Sequence, residues 1–421
     1  MRKMRDSGIE WVGAIPQDWQ LSKIGSLYTQ RNEKVSDKDY QPLSVTMQGI
    51  LPQLATAAKT DDGDNRKLVR VGDFAINSRS DRRGSCGISP LDGSVSLINI
   101  ILTPRTAMHP GYYNWLFHTT LFADEFYKWG HGIVADLWTT RWQEMKSITV
   151  PVPEYAEQER IAAFLDAECA EIDAVLEKTR ASIEEYKKLK QAVITQAVTK
   201  GVRGDRPMKD SGIEWIGDIP AEWKVNLIKN VATTGSGGTP ESGNPSLYDG
   251  DINWICSYDL KERPITKSER RLTQLGADSI AGNVQLKGSV LVAMYGGSGT
   301  IGNSGILECE AKTNQAICSI KFNNGYITDY FGFYYILSIR KYWMIFAVGT
   351  RKDPNISQDI VRKMPCILPP IAEQEEIVAY CNKACDRLDT LITKKQQYLT
   401  EIENYKKSLI YEYVTGKKEV V

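Results

Sequence analysis

The stretch DSGIEWVGAIPQDW at residues 6–19 recurs as DSGIEWIGDIPAEW at residues 210–223, with ten of its fourteen positions unchanged. A second pair of similar segments follows: AEQERIAAF at 156–164 recurs as AEQEEIVAY at 372–380. The first pair is offset by 204 residues and the second by 216. This period is far longer than the roughly 20–50 residues of solenoid repeats. The sequence therefore predicts two copies of one large module.

Two long stretches, about 20–150 and 224–366, separate the repeated segments and show no further similarity to each other by eye. Short runs of β-branched residues bounded by Gly, Asn, Asp or Ser predict strands in both stretches, and helices are expected at about 110–128 and 326–346. Each variable stretch is therefore predicted to be an α+β domain. The predicted strands are 68–77, 94–103, 288–295 and 315–322.

A long amphipathic helix is predicted at the end of each copy. No proline interrupts residues 154–199 or 371–415, and apolar residues recur there at a spacing of three and four. Polar residues at Glu168, Thr179 and Lys395 make the predicted coiled-coil seam discontinuous. The residues assigned to this seam or to partner docking are Ile161, Leu165, Ile172, Val175 and Leu189 in the first helix and Ile377, Leu388, Leu391, Ile402 and Leu409 in the second.

Composition is that of an ordinary globular protein. The 421 residues are 42% hydrophobic and 25% charged, with 52 basic and 52 acidic side chains, which excludes wholly disordered and collagen-like chains. Eight scattered cysteines without a CxxC spacing favour buried free thiols in a reducing cytoplasm over a structural zinc site. The amino-terminal residues lack the apolar region of a signal peptide.

The most apolar stretch, 330–348, has Arg340 and Lys341 at its centre, where a bilayer would make charge costly. We therefore expect an amphipathic helix of a soluble domain there. Gly297–Gly302 matches GxGxxG, but the residues that follow favour a strand over the helix that a dinucleotide site requires. A glycine-rich hairpin is the better interpretation. His118, on an apolar face, is expected to pack or to cap a helix.

Charge is unevenly distributed along the chain. Residues 154–200 carry ten acidic and seven basic side chains, and residues 371–415 carry eight and six, so the positive excess lies in the variable stretches. Arginine forks and small polar loops suit phosphates and base edges, although each such cluster could equally be a solvated turn. The candidates for DNA contact are Ser78, Arg79, Arg82, Arg83, Arg141, Ser236, Gly238, Thr239, Tyr258, Tyr295, Arg351 and Lys352.

These features together resemble the specificity subunits of type I restriction–modification systems, over essentially the full length of the chain. The residues that carry the resemblance are DSGIEWxGxIPxxW, present twice, and the helix openings PVPEYAEQERIAAFL and LPPIAEQEEIVAY. The segment GSGGTP…GDINW at 235–254 also matches a pattern that recurs in the family. A single EQ-x-x-I opening would be a weak signal, whereas two at this spacing are specific.

The resemblance implies two globular target recognition domains of mixed α and β structure, separated by two long antiparallel coiled-coil helices in a pseudo-twofold duplication. Pro-rich strands precede the helices, and Gly201 and Gly416 stand where they should end. The implied divisions are recognition domain 1 (1–153, with frame segment 6–19), a central helix (154–200), a linker (201–209), recognition domain 2 (210–370), a carboxy-terminal helix (371–415) and a tail (416–421).

The resemblance also implies a non-catalytic subunit that binds a bipartite, asymmetric double-stranded DNA target, with the helices setting the gap. Its expected partners are two modification subunits, which methylate adenine with S-adenosylmethionine, and restriction subunits that use ATP and Mg. This chain itself would hold no cofactor or metal and would not enter a membrane. Frame residues Trp11, Trp215, Glu157 and Glu373 are expected to serve packing, capping or docking.

Three alternatives remain open at the level of sequence. The same subunit could serve a system that only methylates. A coiled-coil scaffold without DNA recognition would leave the basic clusters replaceable. An enzyme using the Gly297–Gly302 loop would need to bind a nucleotide.

Overall fold

The computed structural model describes residues 2–53, 63–132, 138–296, 299–349 and 354–420. Its contacts divide the chain into two units. The first comprises Met1–Arg180 together with Gln396–Val421, and the second is the continuous segment Ala181–Lys395. The first unit is thus built from both ends of the sequence.

The first unit is a mixed α and β structure. Its largest sheet has four antiparallel strands in the order β10-β9-β12-β4, and α2 and α3 bury their aromatic side chains against it in one apolar core. The strands are β1 (Met4–Asp6), β2 (Ala14–Pro16), β3 (Gln20–Lys23), β4 (Tyr28–Arg31), β5 (Lys34–Val35), β6 (Leu43–Thr46), β7 (Gly49–Pro52), β8 (Arg66–Val69), β9 (Phe74–Asn77), β10 (Cys86–Ile88), β11 (Gly93–Val95), β12 (Asn99–Pro104) and β13 (Thr149–Val152). The helices are α1 (Ile24–Leu27), α2 (Pro110–Phe117), α3 (Thr120–Lys128), α4 (Trp142–Met145) and the long α5 (Tyr155–Lys200).

The second unit has a five-stranded sheet in the order β17-β24-β21-β22-β19. Its strands are β14 (Met208–Asp210), β15 (Asp218–Pro220), β16 (Lys224–Leu227), β17 (Ala232–Ser236), β18 (Tyr248–Ile255), β19 (Pro264–Ile265), β20 (Arg270–Leu272), β21 (Val290–Ala293), β22 (Ser304–Leu307), β23 (Lys312–Thr313), β24 (Ile317–Phe322), β25 (Val348–Gly349), β26 (Pro354–Asn355) and β27 (Pro365–Leu368). Its helices are α6 (Ile228–Val231), α7 (Gln274–Asp278), α8 (Asp329–Ser338), α9 (Gln358–Lys363) and the long α10 (Ile371–Val414).

The two variable stretches share a topology that their sequences did not reveal. The order β22-β21-β24-β17 in the second unit repeats β10-β9-β12-β4 in the first. Each unit also has a short strand pair at the repeated segment, β1-β2 and β14-β15, and a pair that closes the variable stretch, β3-β13 and β16-β27. The duplication therefore extends through the recognition regions, with alternating buried residues preserved in kind but not in identity.

The repeated tryptophan fixes the start of the long helix in the first unit. Trp19 Nε1 donates a 2.9 Å hydrogen bond to Glu157 Oε2, near the amino-terminal end of α5. The Arg2 guanidinium lies 5.5 Å from the centre of the Trp19 ring and donates to the same carboxylate at 3.0 Å. Since Trp19 is 2% exposed, this Trp–Glu–Arg cluster joins the repeated segment to the helix inside the core.

The second unit contains the same Trp–Glu–Arg cluster. Trp223 Nε1 donates to Glu373 Oε2 at 2.9 Å, and Arg206 lies 5.2 Å from the Trp223 ring. Arg206 Nη2 is 2.5 Å from Glu373 Oε1, and the Glu373 side chain is fully buried. The matching clusters explain why the tryptophan and the helix-opening glutamate occur in both copies.

The glutamine of the repeated EQ pair has an equally specific role. Gln158 accepts a hydrogen bond from the His109 backbone at 2.9 Å and donates to the Pro153 carbonyl at 2.8 Å. Gln374 makes both bonds again, from the Thr328 backbone at 2.8 Å and to the preceding Pro369 carbonyl at 2.9 Å. Each glutamine therefore satisfies backbone groups at the start of an aromatic-rich helix.

The predicted long helices are confirmed as α5 and α10, with Gly201 and Gly416 following them in the left-handed region at φ of 77° and 69°. Within the first unit they run antiparallel, since Asp173 pairs with Lys406 at 2.6 Å and Arg180 pairs with Glu403 at 2.6 Å. Within the second unit Lys190 pairs with Asp389 at 2.7 Å. Both units therefore contain an antiparallel helix pair.

The register of the seam differs from the predicted one at two positions. Val175 and Leu189 are 40% and 48% exposed, whereas Leu176 and Ile183 are buried. The seam runs through Thr179, whose hydroxyl donates to the Val175 carbonyl at 2.8 Å and is thereby satisfied. The helix thus tolerates a polar seam residue and leaves neighbouring apolar ones outside. Ile161, Leu165, Ile377, Leu388 and Leu409 are buried, and Ile172, Leu391 and Ile402 are partly buried.

Other expectations can be compared directly. The four predicted strand regions contain β8, β9, β11, β12, β21 and β24. Stretch 330–348 is not amphipathic: α8 is buried on all sides from Phe331 to Ser338, because the core surrounds it. No described helix is long and apolar enough to cross a bilayer. In the GxGxxG segment, the described residues Gly299–Gly302 precede strand β22 instead of a helix, and Gly302 N bonds back to Ala293 O at 3.0 Å.

Candidate nucleic-acid interface

Three backbone segments of the first unit meet at one end of the four-stranded sheet. Strand β9 ends at Asn77, opposite Asn99 at the start of β12. Beyond this pair Ser78 N donates to Ile98 O at 3.3 Å, and Ser78 O accepts from Thr140 N at 2.9 Å. These bonds form one continuous edge, the first rim, which consists of residues 78–79, 97–98 and 139–140.

The second unit repeats this edge bond for bond. Ala293 ends β21 opposite Ile317 at the start of β24. Met294 N donates to Ala316 O at 2.7 Å, and Met294 O accepts from Ile356 N at 2.8 Å. The second rim therefore consists of residues 294–295, 315–316 and 355–356.

The correspondence of the rims brings together residues that the sequence had selected separately. Arg79 and Tyr295 occupy equivalent positions, each one residue beyond the hydrogen-bonded Ser78 or Met294. Leu97 is likewise equivalent to Gln315. The backbone of the rim is thus constant between the units, while its exposed side chains change.

The first rim presents an arginine beside two apolar side chains. The Arg79 side chain is 37% exposed, and its Nε lies 3.3 Å from Asp81. Leu97 and Ile98 are 37% and 40% exposed on the neighbouring turn. The turn is held by the Asn99 amide, which donates to the Ser96 carbonyl at 2.9 Å. Guanidinium and aliphatic groups in adjacent positions can contact a base edge and a thymine methyl group.

The second rim presents amides and phenols. Gln315 and Asn355 are exposed, and Tyr295 is 36% exposed. The Thr239 hydroxyl, in the glycine-rich loop, donates to Gln315 Oε1 and fixes the orientation of that amide. Tyr258 is 44% exposed close by, and burial raises its phenol pKa, so it remains a neutral donor.

The predicted arginine cluster of the first unit is largely paired with acids. Arg79 and Arg82 flank Asp81, at 3.3 and 3.7 Å. Arg83 forms an ion pair with Asp124 and lies 6.0 Å from the Tyr127 ring. All three arginine side chains remain at least 37% exposed, so they are accessible to a phosphate that competes with the carboxylates.

Other predicted residues occupy different environments. Ser78 is buried at 4% exposure, and its hydroxyl donates to the Ile98 carbonyl, so it builds the rim instead of facing a ligand. Arg141 is exposed at the start of α4. Gly238 N bonds to Thr313 O at 3.0 Å, and Ser236 lies at the end of β17. Arg351 and Lys352 lie outside the described residues.

The sequence analysis missed a basic patch in the second unit, the residues Arg263, Lys267, Arg270 and Arg271. All four are exposed, and none forms a salt bridge with another described residue. Arg263, Lys267 and Arg271 line a surface cavity of about 730 Å³. The neighbouring acids are engaged elsewhere: Glu262 pairs with Arg340, and Glu269 lies 3.3 Å from Lys261. The sequence KERPITKSERR contained this signal, but the pairing of its acids depends on the fold.

The described residues contain no cluster of three or more side chains suited to a metal ion. All eight cysteines are free, and burial raises the pKa of seven that lie away from bulk solvent. His118 follows α2 with Nδ1 at 2.7 Å from the Asn114 carbonyl, which confirms the capping role expected for it. These groups therefore suggest packing more than catalysis.

Comparison with known proteins gives a consistent result. Residues 220–404 match the family model of the type I restriction modification DNA specificity domain. The chain is 24% identical over 189 residues to the MjaIX specificity subunit of Methanocaldococcus jannaschii, an alignment that covers 44% of this chain and 43% of that protein. It is 23% identical to the MjaVIII specificity subunit of the same organism, covering 96% of this chain and 94% of the relative.

The fold also has a solved counterpart. A chain from a structure described as the structural basis underlying complex assembly and conformational transition of the type I R-M system aligns with a TM-score of 0.74. The alignment covers 96% of this chain and 99% of that one, at 14% identity. At this identity the likeness concerns the fold alone.

Proposed function

Since the chain belongs to the specificity subunits of type I restriction–modification systems, we propose that it binds a bipartite, asymmetric double-stranded DNA target, with one half of the target recognised by each unit. The observation that carries this proposal is the pair of equivalent rims. One backbone frame occurs twice and presents different side chains, Arg79 and Leu97 in the first rim against Tyr295 and Gln315 in the second. Different side chains on a common frame favour two different half-sites.

The antiparallel helices act as the spacer of the target. They are held in both units by interhelical ion pairs and by a mostly apolar seam. A continuous helix such as α5, of 46 residues, has a defined rise per residue and so fixes a distance. Docking geometry then sets the number of base pairs between the two half-sites.

Phosphate contacts come from the basic patch in the second unit and from the arginine cluster in the first. The patch offers four cations without a described acidic partner, whereas Arg79, Arg82 and Arg83 must exchange carboxylates for phosphates. We therefore expect the second unit to supply the larger share of the salt-dependent affinity.

The chain itself is a recognition subunit, and specificity subunits of this family are not catalytic. Its proposed partners are two modification subunits, which use S-adenosylmethionine to methylate adenine, and restriction subunits that use ATP and Mg. Exposed apolar residues on the long helices, such as Val175 and Leu189, are candidates for docking these partners. We propose that the complex acts in the cytoplasm. The same subunit in a methylation-only system is the second candidate.

The decisive experiment is a methylome. The chain is co-expressed with its modification subunit, and modified adenines are mapped by long-read sequencing. A two-part asymmetric motif with a fixed gap is expected. An assembled complex that methylates no new motif would contradict DNA recognition and favour a scaffold role.

A separate binding experiment tests the phosphate contacts. Replacing Arg263 and Arg271 by alanine should weaken DNA binding and reduce the dependence of log K on log salt by up to about two phosphate equivalents. The control replaces the paired exposed residues Lys187 and Lys188 on α5, which lie outside the proposed interface. An unchanged salt slope would remove the basic patch from the DNA surface.

A further inference from the structure

We infer that Leu97 in the first rim and Gln315 in the second are equivalent specificity-determining positions, Leu97 contacting a thymine methyl group and Gln315 contacting an adenine. This inference rests on the proposed function and assigns its chemistry to individual side chains. It arises from the equivalence of the rims, which neither the duplicated motifs nor the variable sequences display.

The backbone geometry makes these two positions comparable. In both units the residue precedes a carbonyl, of Ile98 or Ala316, that accepts from the end of the neighbouring strand. A third segment bonds to the same strand end, through Thr140 or Ile356. The side chain at this position is therefore held by two strands and a third segment, as accurate base recognition requires.

The local turns add rigidity on both sides. Asn99 donates to the Ser96 carbonyl, which closes the turn carrying Leu97. In the second unit the Asn314 side chain accepts from Ala316 N at 3.1 Å, which closes the turn carrying Gln315. Neither residue needs to be ordered when DNA binds, so little conformational entropy is lost on recognition.

The Gln315 amide is prearranged for adenine. Its Oε1 already accepts from the Thr239 hydroxyl, which leaves the amide donors facing away from that contact and one oxygen lone pair free. An amide in this state can donate to adenine N7 and accept from adenine N6, the bidentate pairing that glutamine forms in the major groove.

The first rim offers the complementary chemistry. Leu97 and Ile98 are adjacent and both exposed, on an edge where the second unit has Gln315 and Ala316. No polar atom of these side chains can bond a base, whereas a thymine methyl group can be covered by them. Arg79 lies beside them on the same rim, with its Nε next to Asp81 and its terminal nitrogens directed to other acceptors.

The test compares methylomes of complexes carrying single substitutions. Gln315→Leu should abolish the requirement for one adenine in one half-site, and Gln315→Glu should shift that position toward cytosine, because a carboxylate accepts from cytosine N4. Leu97→Gln should change one base in the other half-site. Discrimination at each altered position should fall by about tenfold or more. Leu121→Gln, at a residue with the same 37% exposure, and Gln274→Leu are the controls.

Modified DNA separates contact from a general effect on folding. Once the motif is known, deoxyuridine in place of each thymine should weaken wild-type binding by about fourfold at one position and leave Leu97→Ala unaffected there. Likewise, 7-deazaadenine at the recognised adenine should weaken binding of wild type but not of Gln315→Ala.

Each outcome has a defined meaning. Absence of a bipartite motif in wild type would contradict the proposed function. A bipartite wild-type motif that neither substitution alters, or that both alter in the same half, would overturn the inference and leave the proposed function intact.

Discussion

Replacing Glu373 by glutamine should destabilise the second unit more than the equivalent Glu157→Gln change destabilises the first. Glutamine preserves the shape and one acceptor, so the Trp223 hydrogen bond of 2.9 Å can persist. The negative charge opposite Arg206 is lost, however, and the Arg206 side chain is only 12% exposed. The substitution thus tests the buried charge pair and not merely a hydrogen bond.

The expected magnitude follows from burial. Breaking a buried ion pair by removing one partner costs about 3–5 kcal/mol. Arg206 keeps Glu222 at 3.1 Å, a partner that is 48% exposed, so the loss should fall near about 3 kcal/mol. In the first unit both partners are more exposed, Arg2 at 18% and Glu157 at 14%, and a loss of about 2 kcal/mol is expected.

Native-state hydrogen exchange measures the two units separately. The opening free energies of β16 and β3, which follow the two tryptophans, should fall by these amounts in the respective variants. The exposed Glu375→Gln and Glu159→Gln changes, in the same helical turns, serve as matched controls. A loss below about 1 kcal/mol for Glu373→Gln, or a larger loss for Glu157→Gln, would refute the reasoning.

Three further predictions concern the remaining parts of the chain. Leu176→Ala should cost about 2–4 kcal/mol in chemical unfolding because Leu176 is 4% exposed, whereas Val175→Ala should change stability by less than about 0.5 kcal/mol. Burial lowers the pKa of His118 below its usual 6.5, so the unfolded state gains protons first, and stability should fall as pH drops through and below 6.5; His118→Asn should lack this component of the pH dependence. Exchanging residues 20–150 for those of another specificity subunit should alter one half of the methylated motif, and changes in both halves would contradict the assignment of one half to each unit.

The long helices and the principal strands could be predicted from the sequence because each is governed by a local pattern. The spacing of apolar residues predicted α5 and α10, and β-branched runs predicted β21 and β24. The seam register could not be predicted as well, because the pattern favours apolar Val175 over polar Thr179. The hydrogen bond that makes Thr179 acceptable in the seam is visible only in the folded helix.

The candidate interface was predicted less completely for a related reason. Arg83 was chosen as a free cation, but its partner Asp124 is distant in sequence. The basic patch was overlooked because Glu262 and Glu269 seemed to neutralise it, although Glu262 pairs with Arg340. The rims depend on backbone hydrogen bonds between three separate segments, and no side-chain pattern encodes them. Arg79 and Tyr295 were nevertheless both selected, each from its own local context.

The composition of the first unit has a consequence for biosynthesis. Leu409 and Val414 are buried in the same core as Trp11 and Val12, and the Tyr411 hydroxyl bonds to the Val12 carbonyl across 399 positions of sequence. A ribosome therefore completes the second unit, a continuous segment, while the first still lacks part of its core. The half of the protein made first is the half finished last, and in that interval its exposed apolar surface is the part of the nascent chain most in need of a chaperone.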